Sequence, residues 1–257
     1  MKTKLLRLIR IAQIAASLGA LAGLGWGVYQ GVIFLRTSPR FEVQKLTVSG
    51  VKHIAESQIL AKAGFDAGAN VFRVKLDEVR ERVEQLPWVR YALVERVLPD
   101  QILIKVVERE PIGLARIRGE VYQFDADGKI LDPNAASGSS FPILDGLRPG
   151  DNDGNVIKVE MYRKVIEDIG EASLSEIQIS ESREVTVVST SDPLVVSLGG
   201  NDFRNRWLKY LSLKSQIQQQ YPEAVRIDLR FKNQVIVRMQ DDDAGGKIVW
   251  GEKKNTL

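Results

Sequence analysis

Apolar and polar residues are arranged along this chain in three ways: one long unbroken apolar stretch, several helical stripes, and many short alternating runs. The unbroken stretch, IAQIAASLGALAGLGWGVYQGVIFL over residues 11–35, is 25 residues without a formal charge. As a helix it covers about 37 Å, enough to cross a hydrocarbon core of about 30 Å with some tilt. It exceeds the roughly 7–15 apolar residues of a cleaved signal peptide, so an uncleaved membrane anchor is predicted. Within it Ala15, Gly19, Gly23, Gly27 and Gly31 recur every fourth residue. That spacing makes a flat stripe on which another transmembrane helix can pack closely.

Between residues 41 and 112 the periods switch. FEVQKLTVSG reads as a strand with a bulge between Val43 and Leu46. AESQILAKAGF reads as a short helix with Ile59, Leu60 and Ala63 inward and Gly64 as its stop. KLDEVRERVEQL puts Leu76, Val79, Val83 and Leu86 on one face, with Glu78–Arg82 and Arg80–Glu84 pairs outside. Pro87 ends that helix. Residues 89–98 and 102–108 are two strands joined at Pro99-Asp100, and Trp88 is a buried wedge. The order is β-α-α-β-β.

After residue 112 the strands are shorter. VYQFDADGKIL (121–131) predicts a hairpin turning at Asp127-Gly128, FPILDGL (141–147) a loop with buried anchors, and residues 156–169 a helix. IQIS, EVTVVST and PLVVSLGG read as strands. DFRNRWLKYLSLKSQIQQQ is a long helix with Asp202 as cap and Phe203, Trp207, Tyr210, Leu211 and Ile217 inward. Val225, Ile227, Leu229 and Phe231 then alternate with Arg226, Asp228 and Arg230, Lys232-Asn233 turns the chain, and QVIVRM returns. The tail from residue 241 reads as flexible, with KIVW as a candidate short strand.

Charge sets the orientation. Residues 1–36 hold Lys2, Lys4, Arg7, Arg10 and Arg36 and no acid, so a chain of net +3 leaves about −2 for residues 37–257. Positive residues crowd the N-terminal side of the span, which places the N-terminus in the cytoplasm and the rest outside it. The interspersed, slightly acidic body is unlike a nucleic-acid binder, and a single span offers no bundle for a transport path.

The chemistry is sparse. There is no cysteine and one histidine, His53, which excludes cysteine nucleophiles, Cys/His zinc sites and histidine triads. EF-hand loops starting at Asp125 or Asp151 fail because Ile130 and Val156 stand where glycine is required. No metal or cofactor is expected. The acids form no recognisable pair for a wall hydrolase, and the residues after 113 cannot supply the barrel of an outer-membrane assembly factor.

VSG, LPWV at 86–89, ERVLPD at 95–100 and VVEREPIG at 106–113 resemble a POTRA domain, and directly after one span they resemble the FtsQ/DivIB family of bacterial cell-division proteins. FDADGKIL, FPILDG, VVSLGG and RIDLRF continue the likeness in the family's order to about residue 239. Leu98, Gly200, Phe231 and Gln234 depart from the family's usual residues. The resemblance implies an α+β protein with a cytoplasmic tail (1–10), a transmembrane helix (11–35), a POTRA domain (41–112), a mixed domain on an antiparallel-rich sheet (113–240) and a tail (241–257).

It also implies a non-catalytic scaffold at the division septum, binding the bitopic partners FtsB and FtsL and acting through them on the septal peptidoglycan synthase FtsW–FtsI. In the family the partner FtsB adds a strand to the last strand of the second domain. An exposed strand edge has the unpaired backbone groups such an addition needs. The expected contacts are Arg230, Phe231, Asn233, Val235 and Val237, and the expected helix-packing positions are Gly19, Gly23, Gly27 and Gly31. The alternatives are an envelope adaptor unrelated to division and a cell-wall-modifying enzyme.

Overall fold

The structure, a computed structural model, describes residues 2–64, 68–131, 141–240 and 247–251. It divides into two units, Met1–Glu108 and Arg109–Leu257.

The first unit opens with α1 (Lys2–Thr37), the one helix among the described residues long and apolar enough to cross a membrane, over Ala16–Thr37. Next come β1 (Lys45–Ser49), α2 (Glu56–Ala63), α3 (Leu76–Glu84), β2 (Val89–Val97) and β3 (Gln101–Glu108). The sheet order is β1-β3-β2, with β1 parallel and β2 antiparallel to β3. Ile59, Val79, Val83, Val89, Ile102 and Ile104 are buried between helices and sheet. A β-α-α-β-β chain that covers one face of a small sheet with two helices makes one core.

Two details differ from the sequence reading. Leu60 is 36% exposed rather than inward, because an eight-residue helix buries only the narrow stripe of Ile59 and Ala63. The pairs Glu78–Arg82 and Arg80–Glu84 do not form. Arg82 instead donates to the Ala63 carbonyl through Nε (3.1 Å) and Nη2 (2.6 Å), closing the C-terminal end of α2. Glu84 accepts from the Ala92 N–H on β2 at 3.0 Å. Unsatisfied backbone groups in a folded domain outbid an exposed ion pair for the same side chains.

The second unit holds β4 (Pro111–Ile117), β5 (Glu120–Asp125), β6 (Ile143–Asp145), α4 (Asn152–Ile169), β7 (Leu174–Ile179), β8 (Val185–Ser189), β9 (Val195–Gly199), α5 (Phe203–Gln220), β10 (Ala224–Asp228), β11 (Gln234–Met239) and β12 (Lys247–Gly251). The sheet runs β12-β11-β10-β9-β8-β7-β6-β4-β5. Its pairs are antiparallel except β4–β6, β6–β7 and β9–β10. The core draws on Phe124, Leu144, Tyr162, Ile177, Val196 and Tyr210, so α4 and α5 share one apolar layer with the sheet. On half-buried positions of the sheet Arg116 bridges Asp145 (3.2 Å) and Glu176 (2.6 Å).

The second unit also departs from the sequence expectation. The longer hairpin joins β4 to β5 through Arg118-Gly119, both with positive φ, while the expected reversal over residues 121–131 is short: an antiparallel Phe124–Ile130 bridge, with the Asp125 N–H donating to the Lys129 carbonyl (3.1 Å) and the Leu131 N–H to the Gln123 carbonyl (2.8 Å). Asp125 explains that tight reversal: its carboxylate accepts from the N–H groups of Asp127 and Lys129 and from Arg109. Asp202 is no backbone cap; its carboxylate accepts from Asn205 Nδ2 at 2.6 Å. Leu211 is 48% exposed, at the flank of the buried stripe that Phe203, Trp207, Tyr210 and Ile217 form on α5.

Candidate functional site at the end of the large sheet

The expected contact residues lie on β10, β11 and the turn between them. β10 pairs with β9 on one side and β11 on the other, with a register shift between Ala224 and Arg226. That shift breaks the expected alternation: Ile227 and Leu229 are buried, Val225 is 40% exposed, and Asp228 is buried.

A buried carboxylate needs partners, and Arg230 supplies them. Its Nη2 lies 2.7 Å and its Nε 3.0 Å from the Asp228 carboxylate, and its backbone N–H also donates there. Its Nη1 reaches Glu184 Oε2 on the far side at 2.5 Å. Burial works against an ionised Asp228, yet the Arg230 bonds outweigh it and hold the carboxyl below its ordinary range. The same two carboxylates push the Arg230 guanidinium up. Arg230 is therefore a staple between Asp228 on β10 and Glu184 just before β8, and its fork is already filled.

The other predicted contacts separate. Phe231 is 46% exposed at the turn. Asn233 is exposed and bonded within the chain. Val235 and Val237 are fully buried and belong to the core, so no partner side chain reaches theirs. Their backbone is covered as well. β12 lies antiparallel on β11, with Gln234 opposite Gly251, Val235 opposite Trp250 and Val237 opposite Lys247. The outermost strand at this end is β12, within the segment expected to be a flexible tail; residues 241–246 and 252–257 lie outside the described residues. The apolar KIVW run was the signal for this strand.

On α1, a Cβ built at Gly19, Gly23, Gly27 or Gly31 meets nothing within 4 Å, so the stripe is open along its described length.

One constellation was missed by sequence reasoning. The Glu108 carboxylate, at the end of β3, accepts from the backbone N–H groups of Lys52, His53 and Ile54. His53 Nδ1 lies 2.8 Å from Glu108 Oε2, and the ring stacks on buried Trp88 with centroids 4.8 Å apart. Burial opposes the charge on Glu108, but these bonds prevail and hold its carboxyl below the usual range. With no nucleophile among these contacts, the arrangement pins the β1–α2 turn to the sheet. Among the described residues no cluster of three His, Asp or Glu side chains is placed to hold a metal.

Comparison with known proteins agrees with this architecture. The family model for an FtsQ-type POTRA domain matches residues 41–109, and that for the C-terminal part of cell division protein FtsQ/DivIB matches residues 114–230. The second match stops one residue short of Phe231. The chain is similar to cell division protein FtsQ of Koribacter versatilis, 30% identical over 254 residues, covering 93% of this chain and 72% of that protein. FtsQ of Geotalea daltonii is 24% identical over 87% of this chain and 84% of its own length. FtsQ of Rhodothermus marinus is 25% identical over 96% and 92%. With a POTRA unit after one apolar helix, a large mixed sheet behind it, and similarity running through both, the chain belongs to the FtsQ/DivIB family of cell division proteins.

Proposed function

We propose that this chain is a non-enzymatic, single-span scaffold of the division machinery. It binds FtsB- and FtsL-like bitopic partners, links early to late division proteins, and through them controls septal peptidoglycan synthesis by FtsW–FtsI. Its N-terminus lies in the cytoplasm and both folded units lie outside, as the charge of residues 1–10 against the rest directs.

The observation that carries the reading is the outer side of β12, the last strand of the large sheet, which pairs with no other strand among the described residues. An incoming strand satisfies such an edge with backbone bonds and takes its specificity from nearby side chains. Phe231 is the exposed apolar anchor at that end. Arg230 holds the turn in shape rather than meeting the partner, and Val235 and Val237 support the edge from within.

Binding of a purified extracytoplasmic FtsB-like segment to the full-length chain in nanodiscs tests this. Truncation after Gln240 removes β12 and should abolish binding while the far-UV spectrum keeps the remaining sheet. Phe231→Lys should weaken it about tenfold, or about 1.4 kcal/mol. Arg230→Glu is a poor probe, since it sets a third carboxylate against Asp228 and Glu184. Undiminished binding by the truncated chain would exclude the edge as the contact.

A further inference from the structure

The point where α1 meets the first folded unit is built unlike a free linker. Three carbonyls of the last turns of α1 are capped: Ile33 by Thr37 Oγ1 at 2.8 Å, Phe34 by the Ser38 N–H at 3.0 Å, and Leu35 by Asn70 Nδ2 at 2.9 Å. Phe34, Phe41 and Phe72 follow one another edge to face, with centroids 6.4 and 5.2 Å apart. The apolar window of α1 ends at Thr37, so this joint stands at the end of the membrane-spanning length.

Beside this joint is a cavity of about 380 Å³ lined by Arg36, Thr37, Ser38, Glu42, Asn70 and Arg73, among others. Arg36, Glu42 and Arg73 form no ion pair among the described residues. Two arginines and one glutamate thus line the same cavity with no ion pair between them. The capped carbonyls matter as well, because the negative end of a helix would otherwise repel an anion here.

The geometry points to a phospholipid headgroup site of the phosphoethanolamine type, at whichever bilayer face the C-terminal end of α1 reaches. Arg36 and Arg73 grip the phosphate, for which the guanidinium fork is well shaped, and Glu42 accepts from the ammonium. The charges fit a zwitterion whose cationic end donates hydrogen bonds. A choline headgroup has the phosphate but lacks that donor, and a glycerol headgroup lacks the positive charge. Such a bond would fix how far the first folded unit stands from the membrane.

The test uses the full-length chain in nanodiscs of mixed phosphatidylethanolamine and phosphatidylcholine, and in parallel ones of phosphatidylethanolamine and phosphatidylglycerol, with retained lipids counted by native mass spectrometry after release. The wild type should keep phosphatidylethanolamine above its share of the bilayer. The R36Q/R73Q double variant should lose retention of both lipids. Glu42→Gln should keep a lipid but lose the preference between them. These side chains bond to nothing else described, so the variants should fold as the wild type does. Equal retention by wild type and R36Q/R73Q overturns the site. So does wild-type preference for phosphatidylglycerol over phosphatidylethanolamine, which would mean simple anion attraction, and so does full displacement by inorganic phosphate, which would mean a site for a free ion.

Discussion

At the scale of single residues, Glu108 shows how one side chain holds a turn. Its carboxylate serves three consecutive N–H groups and the His53 ring, 55 and 56 residues away from His53 and Lys52 in sequence. Glu108→Gln leaves at least one of those N–H groups without a good acceptor, which should cost about 1–3 kcal/mol. Amide exchange at Lys52 and Ile54 should rise, and unchanged exchange would show that the carboxylate holds nothing. The pH dependence follows from the folded carboxyl lying below its ordinary 4.5. The Glu108 contribution is fully present above that value and is lost as pH falls through the lower folded value. Asp228, lowered by Arg230, acts with the same sign. Trp88 as a buried wedge was readable from its place behind Pro87. The Glu108–His53 contact was not, because no local period encodes a partner at the other end of a domain.

At the scale of elements, α3 separates exposed pairing from backbone capping. Arg82→Ala removes two bonds to the end of α2 and should destabilise the first unit by about 1.5–3 kcal/mol. Arg80→Ala removes only a 3.5 Å exposed contact with Asp77 and should change stability by less than about 0.5 kcal/mol. Thermal melts of the two variants in the same detergent compare them, and equal losses would contradict the capping role. In the membrane helix, Gly23→Leu with Gly27→Leu fills an open stripe and should reduce crosslinking to a neighbouring helix; full crosslinking would leave the stripe without a packing role. The helices and most strands were legible because burial imposes periods of 3.6 and 2 on the sequence. The β4–β5 hairpin was missed because Arg118-Gly119 lacks the Asn-Gly or Asp-Gly signal, and Asp127-Gly128 carried it instead. Leu211 was misplaced because α5 packs a narrower stripe than its apolar residues suggest.

At the scale of the whole chain, anchor, POTRA unit and sheet domain were legible because each has its own pattern and the charge asymmetry is large. The edge proposed to bind a partner was legible only in outline. A run ending in a good hairpin looks terminal and points to β11 as the outer strand; the pairing of β12 moves the edge outward, and Val235 and Val237 lie in the core. Arg230 shows a related limit, since a charge in an alternating strand does not reveal whether its partner is Asp228 or another protein.

The most direct test of the scaffold account is amide hydrogen exchange of the full-length chain with and without the FtsB-like segment. The account predicts added protection across residues 247–251, with β5 at the opposite edge of the sheet unchanged. Unchanged or reduced protection at 247–251, in a complex shown to form, would contradict strand addition at this edge.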